Sequence, residues 1–315
     1  GALINAHLFL NRMFVRAYIF IAILLYCLTY GSSLNFGIVE ASNRKDQPGL
    51  SLADSNMSTS NDVLQVQILA RSLESRLNDS AAILEATSSL PEVRNTPNAS
   101  LLNSTLESLH GIPQYSDIEK RRIAQAILSN FDDFAVVTYI MPNGDMYFLE
   151  PYTLQQNQTR NNFAFRDYFR GAMDTNGTYL GDIITSTASG LKQAVIAVPV
   201  HSDDDDDDNP IEGIWVGAID LGRLNGELQS FNLSDNQRIV YVDSNGTKIA
   251  DSDKELASNN NETFSGLSSF QNAIAGKSGS ITEEVNQKML VVSYHPVKAL
   301  QKLWAVLWMQ QQDSK

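Results

Sequence analysis

The stretch "FAVVTYIMPNGDMYFLEP" at residues 134–151 reads as two apolar runs joined at Asn143-Gly144. Asn-Gly between such runs is the strongest short hairpin signal, because both turn positions accept positive φ. Further on, "QRIVYVDSNGTKIADSD" (237–253) repeats the layout, with Gly246 in the place of Gly144. Each hairpin is followed by a loop and a helix, expected over 165–174 and 266–275. Three strand-like runs come next: 178–186, 192–200 and 211–220 in the first copy, 279–285, 287–294 and 303–309 in the second. One order found twice predicts two tandem α+β modules, each an antiparallel sheet with helices on one side. Trp304 and Trp308, four apart, share one face of the last strand and read as core.

Upstream of the repeat, Val66, Leu69, Leu73, Leu77, Ala81 and Leu84 recur at steps of three and four. That is the stripe of a long amphipathic helix, expected to stop at Leu90-Pro91 because proline disfavours helical geometry in the residue before it. A second helix is expected over 116–129. Before the long helix, residues 17–30, "AYIFIAILLYCLTY", are apolar and uncharged, with Arg12 and Arg16 ahead of them. The run is near the lower length of a spanning helix and also suits a signal-peptide core. Arginines on its N-terminal side orient the N-terminus to the cytoplasm and the rest outward. Sequons at Asn56, Asn78, Asn98, Asn103, Asn157, Asn176, Asn232, Asn245 and Asn261 all follow the run, which agrees with an extracytoplasmic location. The expected organisation is an anchor or signal segment (1–34), a flexible stalk (35–60), the long helix and a loop (61–112), and two modules (113–232 and 233–315).

Composition removes several classes. With 36 acidic against 23 basic residues the net charge is -13, and no basic stripe exists to meet a nucleic acid backbone. The single Cys27 sits in the apolar run and cannot form an internal disulfide. His7, His110, His201 and His295 lack the spacing of a zinc site, so no metal or cofactor is expected. "SGLSS" (265–269) lacks the second glycine of a nucleophile elbow. In "AGKSGS" (275–280), Gln271 stands where a P-loop needs its first glycine. The Asp203–Asp208 run reads as a solvated connection between strands. An enzyme is not expected.

The order of anchor, long helix and two sheet modules resembles the double Cache (PAS-like) extracytoplasmic sensor domain of receptor histidine kinases and chemoreceptors. The resemblance covers roughly residues 60–310 and is carried by "FAFRDYFRGAMDTNGTYLGDI", "QAVIAVPV", "GIWVGAIDLGRL" and "LWAVLWMQQ". It implies a ligand bound in the first, membrane-distal module, between the sheet and the helix-and-loop segment after the first hairpin. In amino-acid-binding members an Arg-x-aromatic-aromatic motif grips the ligand carboxylate and an aspartate at a strand end takes its ammonium group. Arg166, Tyr168 and Phe169 match the motif and Asp220 the aspartate. A guanidinium offers paired donors to a carboxylate, rings exclude water, and an opposing carboxylate selects a cation. The chain departs from the motif in having Tyr168 where tryptophan is expected and no tyrosine near Asn161; Tyr179 falls roughly at the place of a further one. Tyr139, Tyr147, Tyr152 and Lys192 are further candidates to line the same cavity.

The expected function is therefore sensing of a small amino acid, carboxylate or amine by a membrane-anchored module, with the long helix a candidate homodimer surface. The alternatives are a stand-alone tethered solute binder and a structural or adhesive surface glycoprotein. A secreted hydrolase would need a nucleophile–base pair that the sequence does not offer.

Overall fold

The computed structural model describes residues 53–103, 110–186, 189–202, 210–257 and 262–311, with side chains from residue 61. The apolar run with Cys27, and the 203–208 acidic run, lie outside these residues. Among the described residues no helix is long and apolar enough to cross a membrane, and no group of three metal-ligating side chains occurs.

The long helix, α1, runs from Ala53 to Ser88, so residues 53–60 of the expected stalk are helical. It stops two residues before Leu90, which is held extended (φ -71, ψ 139) because Pro91 follows. Two short helices, α2 (Pro91–Arg94) and α3 (Ser100–Asn103), precede α4 (Ile118–Asn130). Two buried cations on α4 tie this segment down. The Lys120 ammonium donates to the carbonyls of Glu92 (3.2 Å), Val93 (2.6 Å) and Asn95 (2.8 Å). Burial pulls its pKa down to about 8. Arg121 pairs with Glu150 at 2.7 Å and also reaches the Ile112 carbonyl at 3.0 Å.

The first module holds β1 (Phe134–Ile140), β2 (Met146–Glu150), α5 (Tyr152–Gln156) and α6 (Asp167–Thr175). Then follow β3 (Tyr179–Leu180), β4 (Ile184–Thr185), β5 (Lys192–His201), β6 (Ile211–Asp220) and α7 (Gly222–Gln229). The second holds β7 (Gln237–Val242), β8 (Lys248–Asp251), α8 (Lys254–Ala257) and α9 (Ser268–Ile274), then β9 (Gly279–Val285), β10 (Lys288–Ala299) and β11 (Lys302–Gln311). The sheets have the orders β2-β1-β6-β5-β3, with β4 also on β5, and β8-β7-β11-β10-β9. Both are antiparallel, and the second repeats the order of the first, with β9 in the place of β3 and β4.

The hairpins explain why. Gly144 and Gly246 adopt φ of 89° and 84°, and a Cβ there would lie 2.5 Å from the Ala164 Cβ and 2.6 Å from that of Ser265. Glycine is needed at both places for backbone and for space. The loop before each module's central helix returns over its turn, with Phe163 N–H donating to the Gly144 carbonyl and Phe264 N–H to that of Gly246, each at 2.7 Å.

Each sheet buries two faces. On the first, Val137, Tyr139, Ile196, Val198 and Trp215 pack with Leu77, Ala81 and Leu84 of α1, and the Trp215 indole donates to Thr87 at 3.0 Å. On the second sheet Ile239, Tyr241, Trp304, Val306 and Trp308 join the same core. One helix thus carries both sheets, each buried leucine contributing roughly 1.5–3 kcal/mol. The opposite faces are covered by the modules' own helices. Val136, Ile140, Val195, Ala197, Val216 and Ala218 pack under Phe163, Tyr168, Phe169 and Ala172 in the first module. Val240, Val292, Leu307 and Met309 pack under Phe264, Phe270 and Ala273 in the second.

Candidate functional site

Helix α6 begins directly after Arg166, which is extended (φ -71, ψ 141) and makes no side-chain cap. Tyr168 and Phe169 follow on the buried side of the helix and anchor it to the sheet. The Tyr168 Cβ presses on Gly181, where an added Cβ would meet it at 2.8 Å. This leaves the Arg166 side chain half-buried at the helix start. Its guanidinium stands 5.0 Å from the ring centroid of the exposed Phe165, and its Nε is fully buried with no hydrogen-bond partner. Burial pushes the Tyr168 phenol up, and Arg166 acts on the same hydroxyl in the opposite sense.

Across the sheet, Asp220 closes β6. Its Oδ1 accepts the N–H of Gly222, the first residue of α7, at 2.8 Å. Its strand neighbour is Gln193, paired with Asp220 on one side and with Ile184 on the other. Gln193 lies on the same face as Val195 and Ala197, is 3% exposed, and its Nε2 is buried with no partner. It was not singled out from the sequence. The only signal available was one neutral polar residue, second in the strand and directly before its apolar run.

Tyr168 and Phe169 cover the sheet face that ends in the Gln193–Asp220 pair, and Arg166 stands at the start of the covering helix. Tyr179, paired with Ala197, also belongs to that face, its ring packed where a Cβ on Gly171 would lie 2.5 Å away. The other candidates lie elsewhere. Strand alternation turns Tyr139 and Tyr147 to the α1 face, where both are fully buried; Tyr139 meets Trp215 with centroids 6.4 Å apart. The Tyr147 hydroxyl accepts the Asn98 N–H, and burial pushes it up to about 12. Tyr152 packs beside Arg121, whose guanidinium is 5.4 Å from its ring. Lys192 neighbours Gln193 and so takes the opposite face; burial lowers its pKa, with Lys248 of the second module lowering it further and Asp243 raising it. These four do not share a lining with Arg166.

The repeat supplies an internal comparison. Leu267 occupies the place of Arg166, since Arg166 N–H donates to Phe163 and Leu267 N–H to Phe264, each at 3.0 Å. Leu290 occupies that of Gln193, opposite the strand-ending Gln311 as Gln193 is opposite Asp220. Opposite Leu290 stands Glu283, and opposite Gln193 stands Ile184. The Glu283 carboxylate accepts the Ser268 N–H at 2.7 Å and the Ser269 N–H at 3.2 Å, at the start of α9. The second module thus seats a carboxylate of its own on its central helix. On the α6 side of its sheet the first has two buried donors without partners among the described residues, Arg166 Nε and Gln193 Nε2, and Ile184 rather than an acid opposite Gln193 on β4; the second leaves the Ser269 hydroxyl unpartnered on its central helix. A cavity of about 230 Å³ opens in the second module beside Arg238, Lys288, Leu290, Met309 and Gln311. There Arg238 is already neutralised by Asp251 and Glu262, each at 2.6 Å.

The second module also reaches the start of α6. Gln301, in the β10–β11 turn, makes both amide hydrogen bonds to the Leu180 backbone, at 3.0 and 2.7 Å. The adjacent Lys302 pairs with Asp182 and lies 3.5 Å from Asp167, while the Asp182 N–H donates to Asp167 at 2.6 Å.

Two five-strand-path antiparallel sheets carried on one long helix, one of them with a donor-lined face, define a tandem PAS-like sensor module. A double-Cache family model, described as a Cache domain, matches residues 51–314, and the chain belongs to that family. Its fold is similar to the ligand-binding domain of the Pseudomonas fluorescens chemoreceptor CtaA in complex with L-isoleucine, at TM-score 0.55 and 14% identity, covering 83% of this chain and 95% of that one. It is also similar to the ligand-binding domain of the Pseudomonas aeruginosa PAO1 amino acid chemoreceptor PctC in complex with GABA, at TM-score 0.55 and 16% identity, over 81% and 100%. The extracellular domain assigned to the histidine kinase rpHK1S-Z16 matches at TM-score 0.60 and 15% identity, over 84% and 97%. At such identities the likeness concerns the fold. No curated protein matches the sequence.

Proposed function

We propose that the chain is the extracytoplasmic sensing part of a membrane receptor and binds a small amino acid in its first module. The carboxylate sits at Arg166 and the ammonium group at the free oxygen of Asp220, with Tyr168 and Phe169 as the apolar floor. One observation carries this reading: the first module keeps unpartnered donors on Arg166 and Gln193 where its own repeat has two leucines and an internal acid. A buried donor left unpaired costs about 1–3 kcal/mol, and a ligand acceptor at Arg166 and Gln193 recovers that cost. Supporting it, the CtaA and PctC domains of the same fold were solved with L-isoleucine and GABA.

A ligand that draws α6 toward the sheet pulls on Asp167 and, through Asp182 and Lys302, on the β10–β11 hairpin of the second module, which packs on α1. The signal is transmitted only as far as the ligand prefers one of two such arrangements.

The test is a thermal-shift screen of the full chain, in detergent, against amino acids, carboxylates, amines and purines. A ligand at a hundredfold over its dissociation constant adds about 2.7 kcal/mol of stability, and at least one α-amino acid is expected to raise the melting temperature. Shifts confined to purines, or to amines lacking a carboxylate, contradict the reading. So does a flat response to the whole panel.

A further inference from the structure

The amide of Gln193 has no counterpart in the motif that marks Arg166 and Asp220. It lies beside Asp220 on the adjacent strand and is 3% exposed; its Nε2 is buried with no partner, and its side-chain oxygen accepts no hydrogen bond from the described residues. The second module has an apolar residue at this place, the half-buried Leu290 opposite Gln311. A carboxamide is a donor and an acceptor at once, and neither charge nor hydrocarbon satisfies both. What does is another neutral group of the same kind, such as a side-chain carboxamide.

We infer that Gln193 is the specificity-determining residue of the first-module site and that it selects amino acids with a neutral carboxamide side chain over aliphatic ones. The inference rests on the amino-acid reading above: Arg166 and Asp220 take the two groups common to all α-amino acids, and Gln193 reads the third substituent. An aliphatic ligand buries the amide unpaired, whereas a carboxamide pairs with it. A site built to hydrogen-bond a ligand group discriminates against analogues lacking it more sharply than an apolar pocket can discriminate by size.

Isothermal titration of the full chain with L-asparagine, L-glutamine, L-alanine and L-leucine tests this, on the wild type and on Gln193→Leu and Gln193→Met. Leucine copies the second module, and methionine keeps the length while removing both polar atoms. In the wild type asparagine or glutamine is expected to bind ~10-fold or more tighter than leucine. In either variant that preference is lost or reversed, and the ligand-free melting temperature does not fall, since an unpaired buried amide has been removed. Leucine binding tighter than both carboxamide amino acids in the wild type overturns the inference. An unchanged preference in both variants, with Arg166→Ala still abolishing binding, overturns the role of Gln193 and leaves the amino-acid site standing. If none of the four amino acids binds the wild type, the inference falls together with the reading it rests on.

Discussion

Alanine at Arg166 is expected to weaken amino acid binding ~100-fold or more while leaving the melting temperature of the ligand-free chain almost unchanged. The two halves of this expectation have separate causes. Truncating one partner of a buried, hydrogen-bonded charge pair costs about 2–5 kcal/mol, and about 2.8 kcal/mol is a factor of one hundred. For stability, the Arg166 side chain makes no hydrogen bond within the described residues and only faces the exposed ring of Phe165. Such an exposed cation–π contact is worth about 0.5–1 kcal/mol. Tyr168 and Phe169, which hold α6 on the sheet, are untouched. Arg166→Lys is expected to recover little of the lost affinity, because a point charge on a flexible stem does not reproduce the planar pair of donors. Titration calorimetry alongside thermal melting separates the two halves. A melting temperature that drops as far as the affinity would make Arg166 a structural residue.

Asp251→Asn is expected to destabilise the chain by about 3–5 kcal/mol, the range for removing one partner of a buried ion pair. Asp251 is fully buried and accepts from Arg238 at 3.1 and 2.6 Å and from Lys248 at 2.9 Å; Glu262 accepts from Arg238 at 2.9 and 2.6 Å and from Lys248 at 3.0 Å, and the Leu256 carbonyl accepts a further Lys248 N–H. Two acids and two bases therefore balance in an enclosed space, and neutralising one acid leaves a buried positive excess. The pH dependence follows. Burial alone would raise the Asp251 and Glu262 carboxyls, but hydrogen bonds from Arg238 and Lys248 outweigh it and hold both below their ordinary values. Their folded pKa values lie below the unfolded ones, so the stability they contribute is present above about pH 4 and is lost as pH falls through the folded values. Asp62 and Asp243 run the other way: burial raises both, and their contributions improve as the pH falls through their raised values. Chemical denaturation at pH 7 and near pH 3 checks this. The variant should differ most from wild type at neutral pH and least in acid. Equal differences at both would show that the network does not set the acid limb.

The contrast between these two arginines shows what sequence reasoning can reach. The repeat was legible because each Asn-Gly turn requires a positive φ at glycine, and because the strand runs recur in one order. The segment from Arg166 to Phe169 was legible as a motif, although its bare Nε was not. The facing of β1 was hidden: its residues are apolar and buried on both sides, so alternation carries no inside–outside sign, and Tyr139 fell on the α1 face. Lys192 and Gln193 are adjacent and both polar, and only the pairing of Gln193 with Asp220 separates them by face. The early start of α1 was hidden by "ADSNMSTS", whose serines and asparagines favour caps and turns over helix interiors. Arg238 gave no sign of its role because both its acidic partners lie far along the chain.

The central claim is that the first module, and not the second, holds the ligand. A crystal structure of the chain with the best binder from the screen tests it most directly. The claim predicts ligand carboxylate density within hydrogen-bonding distance of the Arg166 guanidinium, and an undisturbed Glu283 on the second module's helix. Ligand density in the cavity beside Arg238 and Lys288, with hydrocarbon closing the space in front of Arg166, would contradict it.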